Sequence, residues 1–170
     1  EEGMKIAEEK GTEAGKNVMV AGGIAQTPTY LSKGTKEAVQ AEFDKQMEMF
    51  CENKVDFMIA EYFEHVEEIE WSVDAVKKYA PHLPVAANMC IGPDGDLHGN
   101  STEECAVRMY EAGAQIVGVN CHFDPFVSLE AMRKVKKGLE DAGYKINPKE
   151  GEDGVFLMSQ PLAYLTPDAS

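Results

Sequence analysis

Two stretches of this chain finish an apolar run with side chains able to do chemistry. In "AQIVGVNCHFDP", Ala114–Pro125, the run ends in Asn120, Cys121 and His122 ahead of an Asp-Pro pair. A thiol at a strand end, followed by a loop, is well placed to bind a soft metal ion as its thiolate. Spacing alone leaves a second reading open, because buried cysteines also serve as small core fillers. In "IAEYFEHVEE", Ile59–Glu68, Glu61 and Tyr62 close another apolar run. A carboxylate there must be paired, hydrated or ready for a cationic ligand, and Tyr62 adds a hydroxyl and a π face. Glu64, Glu67 and Glu68 fall where a helix is expected to begin. Acids at the positive end of a helix dipole need no further role.

Other polar residues carry weaker signals. "MCIGPDGDLHG", Met89–Gly99, reads first as a tight Gly/Pro/Asp connection after a strand. His65 and His98 read as loop residues making ordinary hydrogen bonds, and Trp71 falls off the apolar stripe of its helix. Gln160, in "LMSQPLAY", ends the last strand with an amide.

The elements that must position these residues follow from hydrophobic period. Five apolar runs, Val18–Ala25, Val55–Phe63, Pro84–Ile91, Gln115–Phe123 and Val155–Leu162, are expected to be strands. Between them lie helical stripes: Val39, Phe43, Met47 and Phe50, then Val66, Ile69, Val73, Val76 and Ala80. A third helix opens at Ser101, which has capping-box spacing to Glu104. A fourth carries Leu129, Met132, Val135 and Leu139 and stops at Gly143. Strand–helix alternation predicts an α/β fold with a parallel sheet, either a (β/α)8 TIM barrel or a doubly wound sheet. Two features favour the barrel. Polar or reactive residues cluster where several strands end, at Gln26-Thr27, Glu61-Tyr62, Cys90 and Cys121-His122. Nor does "AGGIAQTP" after the first strand match the G-x-G-x-x-G phosphate fingerprint. Five strands leave about three of a barrel's eight outside this chain, and "NPKEGEDG", 147–154, reads as a surface loop.

Composition bounds the function. At 170 residues, 44% of them hydrophobic, the chain can bury one core. Sixteen basic against thirty acidic residues give a net charge of −14. That surface repels a phosphate backbone or an anionic membrane, so neither is expected as a partner. No apolar span is long enough to cross a bilayer, and the charged, helix-like start, Glu1-Glu2-Gly3-Met4-Lys5, has no signal core. Cys51, Cys90, Cys105 and Cys121 include no C-x-x-C pair, which excludes a self-contained zinc knuckle. Free thiols in a reducing, cytoplasmic compartment are expected.

Together "GGIAQTPTYLS", "VDFMIAEYFEHVEE", "PVAANMCIGPDGDLHG", "GVNCHFDP" and "LMSQPLAY" closely resemble the homocysteine S-methyltransferase family, over nearly the whole chain. "AEYFEH" resembles its betaine-using branch. The resemblance implies a (β/α)8 barrel with one zinc ion held by three cysteine thiolates. It makes Cys121 one of those ligands and places the other two, an adjacent Cys-Cys pair, outside this chain. It makes Glu61 the acid that binds the amino group of homocysteine, and Tyr62 the tyrosine lining the betaine side. The implied reaction transfers a methyl group from betaine to homocysteine, giving dimethylglycine and methionine, in a homo-oligomer. Residues 1–170 are then a partial barrel domain, roughly strands 3 to 7, lacking the N-terminal and C-terminal strands. Alone they are expected neither to bind zinc stoichiometrically nor to fold as a stable monomer. Alternatives are a sibling enzyme using a sulfonium donor such as S-methylmethionine, a catalytically inert fragment or structural relative, and a barrel lyase, which would leave Cys121 unexplained.

Overall fold

The computed structural model describes residues 2–15 and 17–163. Along it run α1 (Glu2–Ala14), β1 (Ala21–Ile24), α2 (Pro28–Leu31), α3 (Lys36–Glu52), β2 (Phe57–Phe63), α4 (Val66–Tyr79), β3 (Val85–Met89), α5 (Thr102–Glu111), β4 (Ile116–Asn120), α6 (Pro125–Asp141) and β5 (Phe156–Gln160). Each strand lies inside one of the five apolar runs.

Local chemistry fixes where the helices start. Thr35 accepts the Ala38 N–H ahead of α3. Ser101 and Glu104 form both halves of a capping box on α5. Asp124 accepts the N–H groups of Phe126 and Val127, and Pro125, which lacks an N–H to satisfy, takes the first turn of α6. The short α2 is set the same way, with Thr27 accepting the Tyr30 N–H and Pro28 beginning the turn.

All five strands are parallel and neighbour one another in sequence order, β1-β2-β3-β4-β5. The order never reverses, so the sheet has no switch point of the doubly wound kind. One face of the sheet meets the helices. Met58, Ala60 and Phe63 of β2, Val85, Ala87 and Met89 of β3, and Val117 and Val119 of β4 join Phe43 and Met47 of α3, Ile69 and Val73 of α4, Met109 of α5 and Leu139 of α6 in one buried cluster. Each Met, Val, Ile, Leu or Phe among them removed from water contributes about 1.5–3 kcal/mol. The alternate residues, Ala86 and Asn88 of β3 and Gly118 and Asn120 of β4, point to the other face.

Two expectations need correction. Leu129 is half exposed; α6 instead buries Ser128, Ala131, Val135, Gly138 and Leu139. The inward stripe is rotated because α5 crosses so closely that a Cβ on Gly138 would sit 2.6 Å from the Glu103 carbonyl oxygen. The fourth strand also ends at Asn120, before the cysteine, for the backbone reason given below.

Candidate active site

The C-terminal ends of β2, β3 and β4 meet at one rim, and β2 and β4 leave their ladders irregularly. On β2 the pairing with β3 shifts between Ala60 and Phe63, leaving room for an extra residue. Tyr62 takes a left-handed backbone there, φ 65°. At the end of β4, Cys121 and His122 are left-handed too, φ 54° and 51°. Two such residues in succession turn the chain out of the ladder, which stops at Asn120, and the conformation costs a non-glycine residue on the order of 1–3 kcal/mol. Hydrogen bonds hold it: the Cys121 N–H donates to the Gln160 carbonyl at 2.9 Å, and the Leu162 N–H donates to the Phe123 carbonyl at 2.9 Å.

The geometry brings Tyr62 and His122 edge to face, ring centroids 5.3 Å apart. His122 Nε2 lies 3.5 Å from the Tyr62 hydroxyl and its Nδ1 4.0 Å from Glu64. Glu61 sits on β2 next to Tyr62, with its carboxylate over Gly23 of β1, where a Cβ would come within 3.7 Å of Oε1. Cys121 is half-buried and Tyr62 exposed. The three residues singled out from the sequence therefore stand at the ends of β2 and β4, with β3 between them.

Sequence reasoning missed their support. Cys90, just past β3, is buried. Burial pushes its thiol up to about 12, with the neighbouring Cys121, Glu64 and Glu61 adding to the shift, so it stays protonated at neutral pH. Asn120 is 2% exposed. Its Oδ1 accepts the Tyr62 N–H at 3.3 Å and the Cys90 thiol at 3.5 Å, and its Nδ2 donates to Cys121 Sγ at 3.3 Å. One layer deeper, Asn88 Nδ2 donates to Gln160 Oε1 at 2.9 Å.

Glu68 is also more than a dipole complement. It is fully buried, and its Oε1 accepts both the N–H and the hydroxyl of Thr27 at 2.6 and 2.9 Å. Burial raises its carboxyl above the ordinary range, against the pull of those two bonds. Glu64 precedes α4 and faces His122. His65 and His98 stack 4.2 Å apart beside Tyr30, which also meets Trp71 edge-on at 5.6 Å. Tyr164, the last residue of "LMSQPLAY", lies outside the described residues.

A soft metal suits the one accessible thiol at this rim, Cys121, backed by an N–H donor. Among the described residues no group of three His, Cys, Asp or Glu is arranged to hold an ion.

A one-directional parallel sheet with thiol, carboxylate and phenol at the same end of its strands is the setting in which the sequence match falls. The chain belongs to the homocysteine S-methyltransferase family, which it matches over residues 1–164. It is 55% identical over 152 residues to betaine–homocysteine S-methyltransferase 1 of Bos taurus, covering 89% of this chain and 35% of that protein. To the protein of the same name from Mus musculus it is 56% identical over 152 residues, again 89% of this chain and 35% of the relative. The Sus scrofa relative gives 55%, with 51% of its length covered. The chain thus spans between about a third and a half of the curated relatives it matches. The metallated form of the homocysteine methyltransferase MmuM from Escherichia coli shares the fold at a TM-score of 0.67 and 17% identity, covering 95% of this chain and 63% of that one. No helix among the described residues is long and apolar enough to cross a membrane.

Proposed function

We propose that this chain is the central part of a (β/α)8 barrel, roughly its strands 3 to 7, in an enzyme that moves a methyl group from betaine to the thiol of homocysteine. The observation carrying the reading is the convergence of Cys121, Tyr62 and Glu61 on one rim, in a chain whose near relatives bear the name of that activity. Helices on one face and a strand order without reversal support the barrel.

Cys121 would hold zinc together with two cysteines outside this chain. Bound zinc supplies Lewis acidity that keeps a coordinated thiol deprotonated at neutral pH while leaving a lone pair for attack. The chain's own residues do the rest. Glu61, at the end of an apolar strand, takes the ammonium group of homocysteine and thereby aims its side chain at the rim. Tyr62 offers a π face to the quaternary ammonium of betaine, an attraction that strengthens as water leaves. The edge of His122 against Tyr62 keeps that ring from turning away. Holding donor nitrogen and acceptor sulfur in line removes much of the entropic barrier to transfer. The products are dimethylglycine and methionine.

The test is methyl transfer by the purified full-length protein with homocysteine and, in turn, betaine or S-methylmethionine, followed by mass spectrometry. Methionine and dimethylglycine in equal amounts from betaine is the expected result. Methionine from the sulfonium donor alone would overturn the donor assignment, and no methionine from either would overturn the activity.

A further inference from the structure

We propose that Asn120 is a positioning residue that sets the Cys121 sulfur and the Tyr62 backbone against one another, so that the metal side and the donor side of the rim share one reference point. The proposal rests on the reading of those two residues given above. Its warrant is the direction of a single amide. The Tyr62 N–H can only donate, so the group facing it at 3.3 Å must be the Asn120 carbonyl oxygen. That choice turns Nδ2 towards Cys121, 3.3 Å from its sulfur. The second lone pair of Oδ1 is met by the Cys90 thiol at 3.5 Å. A buried amide with one end free would be costly; here both ends are engaged, at the ends of three neighbouring strands.

Two consequences follow for chemistry. An N–H aimed at the sulfur fixes its direction and is placed to hydrogen-bond a metal-bound thiolate. The carbonyl end grips Tyr62 where its backbone is left-handed, and the covalent neighbour on the other side, Cys121, is left-handed as well. Asn120 therefore stands between two unfavourable backbone turns and is bonded to both residues that make them. Cys90 has a part in this through its thiol, buried and 3.5 Å from Oδ1.

The test uses full-length protein carrying Asn120→Asp, which keeps an acceptor for Tyr62 but puts an oxygen where the sulfur had a donor. Asn120→Ser, which removes both, is the second variant. Zinc affinity by chelator competition should fall by about 10–100-fold in both. The sulfur-to-metal charge-transfer band of the cobalt-substituted protein should shift, a change that a loss of stability alone does not produce. Betaine KM should rise more in Asn120→Ser than in Asn120→Asp, because only the former releases Tyr62. Affinities within twofold of wild type with an unchanged band would overturn the proposal. If Asn120→Asp fails to fold, Asn120→Ser decides by the same readouts. Should Cys121→Ala leave the zinc content intact, the metal reading falls by itself. The positioning claim is then decided in zinc-free protein by the rate at which iodoacetamide alkylates Cys121. A fivefold or greater change in either direction in Asn120→Ser supports it, and an unchanged rate refutes it.

Discussion

The two faces of the sheet are built to opposite rules. Towards the helices, Met58, Ala60, Val85, Ala87, Val117 and Val119 alternate regularly, are fully or almost fully buried, and bury no polar side chain of their own. On the other face, near the strand ends, Asn88, Cys90, Asn120 and Gln160 are bridged across strands by hydrogen bonds, and three non-glycine residues there hold left-handed backbones. The first face stores stability in packing. The second uses some of that stability to hold polar groups where water would otherwise scatter them. Substitutions on the helix face should therefore lower stability and spare chemistry, and those at the rim should do the reverse.

Gly118→Ala breaks that division most severely. The glycine lies on the site face, yet a Cβ there would sit 1.7 Å from the Met158 carbonyl oxygen and 2.9 Å from Asn88 Oδ1. Backbone cannot yield without parting β4 from β5, so a loss above about 5 kcal/mol is expected, seen as failure to recover folded full-length protein. Phe43→Ala, on the helix face, should cost about 3–5 kcal/mol in urea unfolding while homocysteine KM stays within twofold. A large KM change would show that the faces are coupled. Glu61→Gln should lower kcat/KM for homocysteine by about 2–4 kcal/mol, roughly 30- to 1,000-fold, with the melting temperature unchanged. An effect below threefold would remove Glu61 from the proposed site.

Glu68 gives the smallest effect and a definite sign. Its carboxyl is raised in the folded state, chiefly by burial, with Glu42 adding to the shift. The folded protein then holds that proton more tightly than the unfolded chain does. The resulting stability is full below the ordinary carboxylate range and is lost as pH rises through the folded-state value. Subtracting the stability–pH curve of Glu68→Gln from that of wild type should leave this downward step. A flat difference would show that Glu68 ionises freely.

What the sequence made legible were features of single segments. Apolar runs with β-branched residues marked the strands, and the polar residues that end them, Glu61, Tyr62 and Cys121, stood out because they interrupt a pattern. The supporting residues were hidden because their partners are distant along the chain. Asn120 bonds Tyr62 58 positions earlier and Cys90 30 positions earlier, and nothing in "GVNC" points to either. Glu68 was misread for the same reason: an acid in a first helical turn satisfies a local rule, while its partner Thr27 lies 41 positions away. The left-handed turn at Cys121 also escaped, since that conformation is uncommon outside glycine and is imposed here by tertiary contacts. Leu129 shows the limit of periodicity, because the phase of a stripe is set by the neighbouring helix as well as by its own residues.

Elemental analysis of the full-length protein beside its Cys121→Ala variant bears hardest on the proposed site. If Cys121 is one of three thiolate ligands, the wild type should carry one zinc per chain and the variant should lose it, because two thiolates seldom retain a tight structural ion. Equal zinc in the two proteins would contradict the assignment of Cys121 and, with it, the metal-dependent reading of the rim.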